Sequence, residues 1–162
     1  MSLQHRRLIE TFDAVTAIGR RLSSSITGDA QYFPVTPERA AAGDADAEKA
    51  FDAFLQRFNQ MLDHMLRKLF PRLQAVISAD DELLPVLQLI ETLHRANVID
   101  DVGAWKELIE VRNRLTHEYA LDPAERATAL NDAWTRAPLL LAQLQRARSY
   151  AERHGLLKGE DQ

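Results

Sequence analysis

The sequence predicts an all-α fold, an up-and-down bundle of four to five helices. Apolar residues recur at spacings of three and four along most of the chain, which is the period of an amphipathic helix. No stretch alternates strictly between apolar and polar residues, as a half-buried strand would. No internal repeat or low-complexity tract interrupts this pattern, so the 162 residues predict a single helical domain over positions 1–162.

The composition excludes several kinds of site. The chain has no cysteine, which rules out a disulfide framework, a thiolate zinc site and a cysteine nucleophile. Its 24 acidic and 20 basic residues give a net charge of −4, which argues against a protein that coats nucleic acid through many phosphate contacts. A small local basic site is still compatible with this charge.

The first residues, MSLQHRRLIETFDAV, lack the apolar core of a signal peptide. No apolar run elsewhere in the chain approaches the roughly 20 residues that a membrane-spanning helix needs. We therefore expect a soluble, cytoplasmic protein with no membrane partner.

The first helix is predicted over about residues 3–24, and a long loop follows it over about residues 23–44. Two prolines and two glycines within the loop discourage regular structure there. Tyr32 and Phe33 lie in this loop. We expect them to pack against the bundle, with exposed aromatic rings that stack on bases as the alternative.

The second helix begins near Asp44 and carries the strongest apolar periodicity in the chain. Pro71 is expected to break or kink it, because proline removes a backbone donor and crowds the preceding turn. The segment SADDELLP precedes a third helix that runs to about residue 95. The apolar residues of this predicted helix include Leu83, Leu87, Ile90 and Leu93.

The fourth helix begins near Asp100 and contains the segment RNRLTHEY, residues 112–119. The fifth helix begins with Asp122 as a candidate N-cap and Pro123 at the first helical position. It is predicted to run to about residue 154, with a proline at 138 that can bend it.

Arg112 interrupts the apolar stripe predicted for the fourth helix. Spacings of three and four place position 112 on one seam with the residues Trp105, Leu108, Leu115 and Tyr119. A guanidinium group keeps its charge, so a position on this seam is costly unless an anion meets it. That anion could be a carboxylate at the edge of the core or a bound phosphate.

His117 does not share the face of Arg112 on a regular helix. Five residues correspond to about 140° around the helix axis. Either the helix frays at its end, or a second copy of the chain in a two-fold dimer completes the site. Basic residues are also common at helix C-termini for a simpler reason, because the helix dipole favours them by about 0.3–1 kcal/mol each.

The segment RNRLTHEY resembles the signature of the HEPN superfamily. That signature is Arg, a polar residue that is often Asn, three further residues, His, any residue and Tyr. Arg112, Asn113, His117 and Tyr119 fill these positions. The resemblance extends from about residue 80 to 150, where VLQLIETLHRANVID, WKELIEVRNRLTHEY and LDPAERATALNDAW follow the family's order of elements.

The resemblance implies a HEPN-like bundle that acts as a metal-independent endoribonuclease and needs no cofactor. It also implies a homodimer, in which two copies of the motif line one cleft and RNA is cut by attack of a ribose 2′-OH on the adjacent phosphate. Arg112 would stabilise charge on the phosphate, His117 would act as acid or base, and Asn113 would orient His117. Arg114 would add a phosphate contact or remain solvated.

Many members of this family are toxins encoded beside a minimal nucleotidyltransferase, and the resemblance implies such an antitoxin as a partner. Tyr119 matches the position that these partners AMPylate, and an adenylyl group there would add negative charge beside Arg112. The alternative interpretation is a non-catalytic HEPN binding module that partners or regulates a nucleotidyltransferase. A purely structural helical bundle is a third interpretation.

Overall fold

A computed structural model of the chain describes residues 1–117 and 121–158. Its α-helices are α1 (Leu3–Gly28), α2 (Pro37–Ala41), α3 (Ala45–His64), α4 (Phe70–Ser78), α5 (Val86–Arg95), α6 (Val102–Leu115) and α7 (Pro123–Arg153). The described residues contain no β-strand, so the predicted all-α class is confirmed. Within the same residues, no helix is both long enough and apolar enough to cross a membrane.

A π-helical turn, Met65–Leu69, joins α3 to α4 without ending the helix. We call α3, this turn and α4 together the α3–α4 rod. Of the two alternatives predicted for Pro71, a break or a kink, the break is therefore wrong. Pro71 lies in the first turn of α4 and has no N–H to donate, and the wider turn just before it accommodates that interruption.

The long helices run alternately up and down the bundle. Near the end of α1, Ser25 accepts a hydrogen bond from Arg57 of the α3–α4 rod at 2.7 Å. Near its beginning, Thr11 accepts one from Arg72, which lies further along the rod. Because early residues of α1 meet late residues of the rod, the two elements are antiparallel.

The helix α6 packs antiparallel to both the α3–α4 rod and α7. The rings of Trp105 and Phe70 lie 4.9 Å apart, and further along α6 Arg112 reaches Asp63, which precedes Phe70 in the chain. On its other side, Trp105 donates a hydrogen bond to Gln143 of α7 at 3.2 Å. The core between α1, the rod, α6 and α7 buries the largest apolar side chains, among them Phe12, Phe51, Phe54, Phe58, Phe70 and Trp105.

Two helix starts match the sequence prediction. Asp44 caps α3, where its carboxylate accepts the backbone N–H of Asp46 at 3.1 Å. Asp122 caps α7 in the same way, with the N–H of Glu125 at 2.8 Å, and Pro123 occupies the first helical position. Each carboxylate satisfies a donor that the first turn of a helix leaves unpaired.

The segment predicted as a long loop over about residues 23–44 has more structure than expected. The helix α1 continues to Gly28, a 3₁₀ turn covers Ala30–Tyr32, and α2 follows at Pro37–Ala41. The side-chain amide of Asn131 bonds both the N–H and the carbonyl of Val35, at 2.6 and 2.9 Å. The segment is thereby fixed to α7 from a distance in sequence that local patterns do not report.

Phe33 packs against the bundle, which confirms the expectation that this ring is part of the packing. Its ring stacks on Trp134 with centroids 3.8 Å apart and planes 7° from parallel, and its edge meets Phe51 and Phe54 at 5.7 and 5.5 Å. Such aromatic pairs add to the energy of burial. Phe33 is therefore part of the packing between α3 and α7 and is not available to stack on a base.

The helix α5 begins later than predicted and buries two of the four apolar residues that the sequence named for it. Leu83 lies before the helix and is 83% exposed, so its assignment to the helix is wrong, and Leu87 lies in the helix but is 51% exposed. Ile90 and Leu93, which the sequence also named, are buried together with Leu89. The apolar run is long enough to supply two faces, and only one of them meets α4 and α6.

An ion pair joins the beginning of α7 to the beginning of α3. Arg126 donates two hydrogen bonds to the carboxylate of Glu48, at 2.9 and 2.7 Å, and a third to the carbonyl of Ala40. Hydrogen bonding by Arg126 is the main cause that lowers the pKa of Glu48; partial burial opposes this effect and the positive charge of Arg126 adds to it.

Glu48→Gln is expected to lower the free energy of unfolding at neutral pH. Because the pKa is lower in the folded state, the stabilisation is complete above the unfolded-state pKa of about 4.3 and is lost as the pH falls through the folded-state pKa. Urea unfolding of both proteins at pH 7 and at about pH 3 measures this. Glu10→Gln, on the exposed face of α1, is the control; a difference for Glu48→Gln that does not change with pH contradicts the prediction.

Candidate active site

The helix α6 carries most of the motif, and its buried face differs from the predicted stripe by one residue. Asp101 caps the helix by accepting the N–H of Ala104 at 3.1 Å. The residues that α6 buries are Trp105, Leu108, Val111 and Leu115. Val111 therefore fills the turn that the sequence pattern assigned to position 112, and the prediction that Arg112 lies on the apolar seam is wrong.

Arg112 lies at the edge of the core, on the side of α6 that faces α3. Its Nη1 atom is 2.6 Å from Oδ1 of Asp63, and the two side chains are 24% and 39% exposed. The sequence left open whether Arg112 meets a carboxylate or a bound phosphate, and in the structure it meets the carboxylate of Asp63. The ion pair uses one nitrogen of a guanidinium group that has five N–H donors.

The helix ends before it reaches His117. The N–H and the hydroxyl of Thr116 both bond the carbonyl of Arg112 at 3.0 Å, and the N–H of His117 bonds the carbonyl of Arg114 at 3.2 Å. His117 is exposed and lies in the turn after Leu115. The angle of about 140° holds only for a regular helix, so it does not describe this pair of residues.

Arg114 points to the opposite side of α6, towards α7. It is 2.8 Å from Asp132, which also lies 3.6 Å from Arg136. Arg136 in turn lies 3.2 Å from Glu107, which is about two turns before Arg114 on α6. Arg114 thus belongs to a chain of alternating charges between α6 and α7, although about half of its side chain is exposed.

The remaining motif residues have no such partners. Asn113 is exposed, and within the described part of the chain its side chain makes no hydrogen bond to His117 or to any other residue. The ring of His117 is likewise exposed and makes no hydrogen bond to any of the described residues. Tyr119, the predicted AMPylation position, lies outside the described residues.

The surface next to the motif is not uniformly basic. Beside Arg114, a shallow groove of about 290 Å³ is lined by Leu121, Ala124, Glu125, Thr128 and Ala129. The negative charge of Asp122, and a hydrogen bond with it, raise the pKa of Glu125.

No group of three or more histidine, aspartate or glutamate residues in the described ranges is arranged to hold a metal ion.

Asp63 and Asp132 are the residues of this site that the sequence did not predict. Asp63 lies on α3, 49 residues before Arg112, and Asp132 lies on the next helix, 18 residues after Arg114; neither is part of a recognisable local pattern. The only available signal was the charge of Arg112 itself, which required an anion without indicating where it lies in the chain.

The pairing of Arg112 with Asp63 can be measured in a double-mutant cycle. The losses of stability caused by Arg112→Ala and Asp63→Ala are expected to be non-additive by about 0.5–1 kcal/mol, a value typical of a partly exposed ion pair. Urea unfolding of the four proteins gives this interaction energy. Arg112→Ala combined with Asp132→Ala is the control and is expected to be additive, because Asp132 pairs with Arg114; equal coupling in both cycles would contradict the assignment.

Comparison of the chain with protein-family models, with curated proteins and with solved structures found no match.

Proposed function

We propose that the chain is a metal-independent endoribonuclease of the HEPN type. The observation that carries the proposal is the arrangement at the end of α6, where a half-buried, fixed Arg112 is followed by an exposed His117 whose ring has no partner in the described residues. Phosphate-ester cleavage uses a cation that stabilises the charge on phosphate and a base that takes the proton of the nucleophile, and these two residues supply one of each.

The reaction assigns one role to each residue. His117, as the neutral imidazole, takes the proton of a ribose 2′-OH, and the 2′-oxygen forms a bond to the adjacent phosphorus. The bond from phosphorus to the 5′-oxygen breaks, and that oxygen receives the proton from the imidazolium of His117, so the products are a 2′,3′-cyclic phosphate and a 5′-hydroxyl and the imidazole is neutral again. Arg112 donates its remaining N–H groups to the phosphate oxygens as negative charge accumulates on them.

Asp63 limits what one protomer can do alone. It fixes the direction of the guanidinium group of Arg112 but offsets much of its charge, and Asp132 does the same to Arg114. Since affinity for RNA depends on the number of unneutralised cations, one motif is a weak binding site. A two-fold homodimer that brings two copies of the motif into one cleft doubles that number.

The same proposal includes the biological setting that the HEPN resemblance implies. The chain is a toxin, and its antitoxin is a minimal nucleotidyltransferase that AMPylates Tyr119. The modification adds a phosphate group and an adenosine two residues after His117 in the chain, and its negative charge would compete with RNA for Arg112.

Incubation of the purified protein with mixed RNA in EDTA, over a range of pH, tests the proposal. Wild type is expected to cleave, and its products are expected to carry 2′,3′-cyclic phosphate ends. An absence of cleavage at every pH rejects the enzyme. Cleavage that survives both Arg112→Ala and His117→Ala means that other residues carry the reaction.

A second candidate function is a non-catalytic binding module for a nucleotidyltransferase. The observation that favours it is that both arginines of the motif are already paired with carboxylates. Under this alternative, the chain binds a co-expressed minimal nucleotidyltransferase, Arg112→Ala weakens that binding, and wild type does not cleave RNA.

A further inference from the structure

The large apolar side chains that are exposed in the described residues gather at one end of the bundle. They are Met1, Leu3, Leu83, Val86 and Leu87. The first two lie at the beginning of α1, and the others lie in and just after the segment that joins α4 to α5. We call these five residues the end patch. Exposed apolar residues scattered singly are ordinary, whereas a concentration of them marks an interaction surface.

A hydrogen bond joins two residues that adjoin the two parts of the end patch. The side-chain amide of Gln4 donates a hydrogen bond to Oδ1 of Asp81 at 2.8 Å. Gln4 adjoins Leu3, and Asp81 is two residues before Leu83. The beginning of α1 and the segment before α5 therefore form one continuous surface.

This surface is separate from the motif. Asp63, which holds Arg112, and Ser78, at the end of α4, lie on the same rod. At the helical rise of 1.5 Å per residue, the rod separates these two residues by about 22 Å. A partner that covers the end patch therefore leaves Arg112 and His117 accessible.

The charges around the end patch are divided by sign. Residues 1–9 contain two arginines and one histidine but no acidic residue, whereas residues 80–91 contain four acidic residues and no basic one. Arg6 and Arg7 are exposed and form no ion pair within the described residues, and the same is true of Glu82 and Glu91. Each half thus presents charges that lack a partner in the monomer.

We propose that the end patch is a self-association surface, covered by the end patch of a second copy of this chain. A two-fold axis through an interface brings each half of the patch against the other half of its image. The basic half of one copy then faces the acidic half of the other, around a shared apolar centre. A patch with a single sign of charge would repel its own image, so the division by sign favours a second copy over other partners.

The interface is distinct from the one that the proposed ribonuclease requires at the end of α6. If both form, the chain assembles beyond a dimer, because each copy then has two different two-fold neighbours. The self-association surface does not depend on the proposed function, and the two can fail separately.

Sedimentation equilibrium of wild type and of Leu83→Glu with Leu87→Glu tests the apolar centre. Both side chains are largely exposed, so the folded monomer is expected to tolerate them, and circular dichroism checks this. Wild type is expected to associate at micromolar concentration, and the double variant is expected to raise the dissociation constant of one association step at least tenfold. A wild type that is monomeric at about 100 μM, or equal association of the two proteins, overturns the proposal.

Charge reversal tests the choice of partner. Arg6→Glu with Arg7→Glu makes both halves acidic, and Glu82→Lys with Glu91→Lys leaves the acidic half with no net charge, because Asp80 and Asp81 then balance the two lysines. Each variant is expected to associate with itself at least tenfold more weakly than wild type, and an equimolar mixture is expected to form mixed assemblies with a higher affinity than either variant has for itself. Failure of the mixture to associate overturns the two-fold arrangement.

RNA cleavage by the Leu83→Glu, Leu87→Glu variant separates this proposal from the proposed function. If the variant loses one association step and still cleaves RNA, the result supports both the self-association surface and the ribonuclease. A variant that drops by one step in a protein that never cleaves RNA supports the self-association surface and rejects the ribonuclease.

Discussion

Replacing His117 with alanine is expected to lower the rate of RNA cleavage by about 100-fold or more, the usual contribution of a general acid or base. The side chain is exposed and forms no hydrogen bond or ion pair with another of the described residues, so its removal is expected to leave the packing of α6 unchanged. The temperature of unfolding is therefore expected to stay within about 1 °C of wild type, since surface changes of this kind seldom alter stability. Initial rates on a short labelled RNA measure the first effect, and calorimetry measures the second.

His154→Ala is the matched control for this substitution. His154 is also exposed and also follows the last turn of a helix, in this case α7. It is expected to leave the cleavage rate within about twofold of wild type, because it lies far along the chain from the motif. Equal losses of activity for both histidines would show that the effect is not specific to the motif and would reject the assigned role of His117.

Mixing two inactive variants tests whether the cleft is built from two protomers. If Arg112 of one copy acts with His117 of the other, a mixed dimer of Arg112→Ala and His117→Ala contains one intact pair. Random exchange then restores up to about a quarter of the wild-type activity. Activity that stays at the level of the single variants would contradict the composite cleft and place both residues of each site in one chain.

The fold was predictable because its main determinants are local. Helix starts at Asp44 and Asp122 follow from residues whose side chains cap the backbone a few positions later. The apolar periods of α3 and α6 likewise identify a buried face from a short stretch of sequence. These signals act over one or two helical turns, which is the range that a sequence pattern covers.

The errors arose where distant residues decide the structure. Val111 and Arg112 are adjacent, and either fits a stripe of mixed spacing; the contact with Asp63 is what turns Arg112 to the edge. Leu83 and Leu87 fit an apolar stripe equally well, but Leu83 precedes the helix and Leu87 lies on the face of α5 that no described neighbour covers. In both cases the choice depends on which other helix packs against the residue, and a periodic pattern within one helix does not contain that information.

The position of the motif depends on Trp105, which fixes α6 against its neighbours. Trp105 is buried, its ring packs edge-on against Phe70 at 4.9 Å, and its N–H donates to Gln143 at 3.2 Å. Gln143 also donates to the carbonyl of Val98 at 2.8 Å, in the connection between α5 and α6. The indole thus links the beginning of α6 to α4 and α7, two turns before Arg112.

Trp105→Ala is expected to lower the free energy of unfolding by about 3–5 kcal/mol, the usual cost of emptying a buried aromatic site. Urea unfolding followed by circular dichroism measures the loss. Trp134→Ala is the matched control. Trp134 is only half-buried and holds the peripheral segment around Phe33, so its loss is expected to cost less. A cost for Trp134→Ala equal to that for Trp105→Ala would mean that the indole at position 105 has no special role in the core.

Trp105→Phe separates the packing of the ring from its hydrogen bond. The phenyl ring keeps most of the contact with Phe70 but leaves Oε1 of Gln143 without its donor in a buried position, at a cost of about 1–3 kcal/mol. A second substitution, Gln143→Leu, removes that unpaired oxygen, and the carbonyl of Val98 keeps the N–H of Arg146 at 3.1 Å as its donor. The double variant is therefore expected to be more stable than Trp105→Phe alone, because an unmade buried hydrogen bond costs more than two absent polar groups.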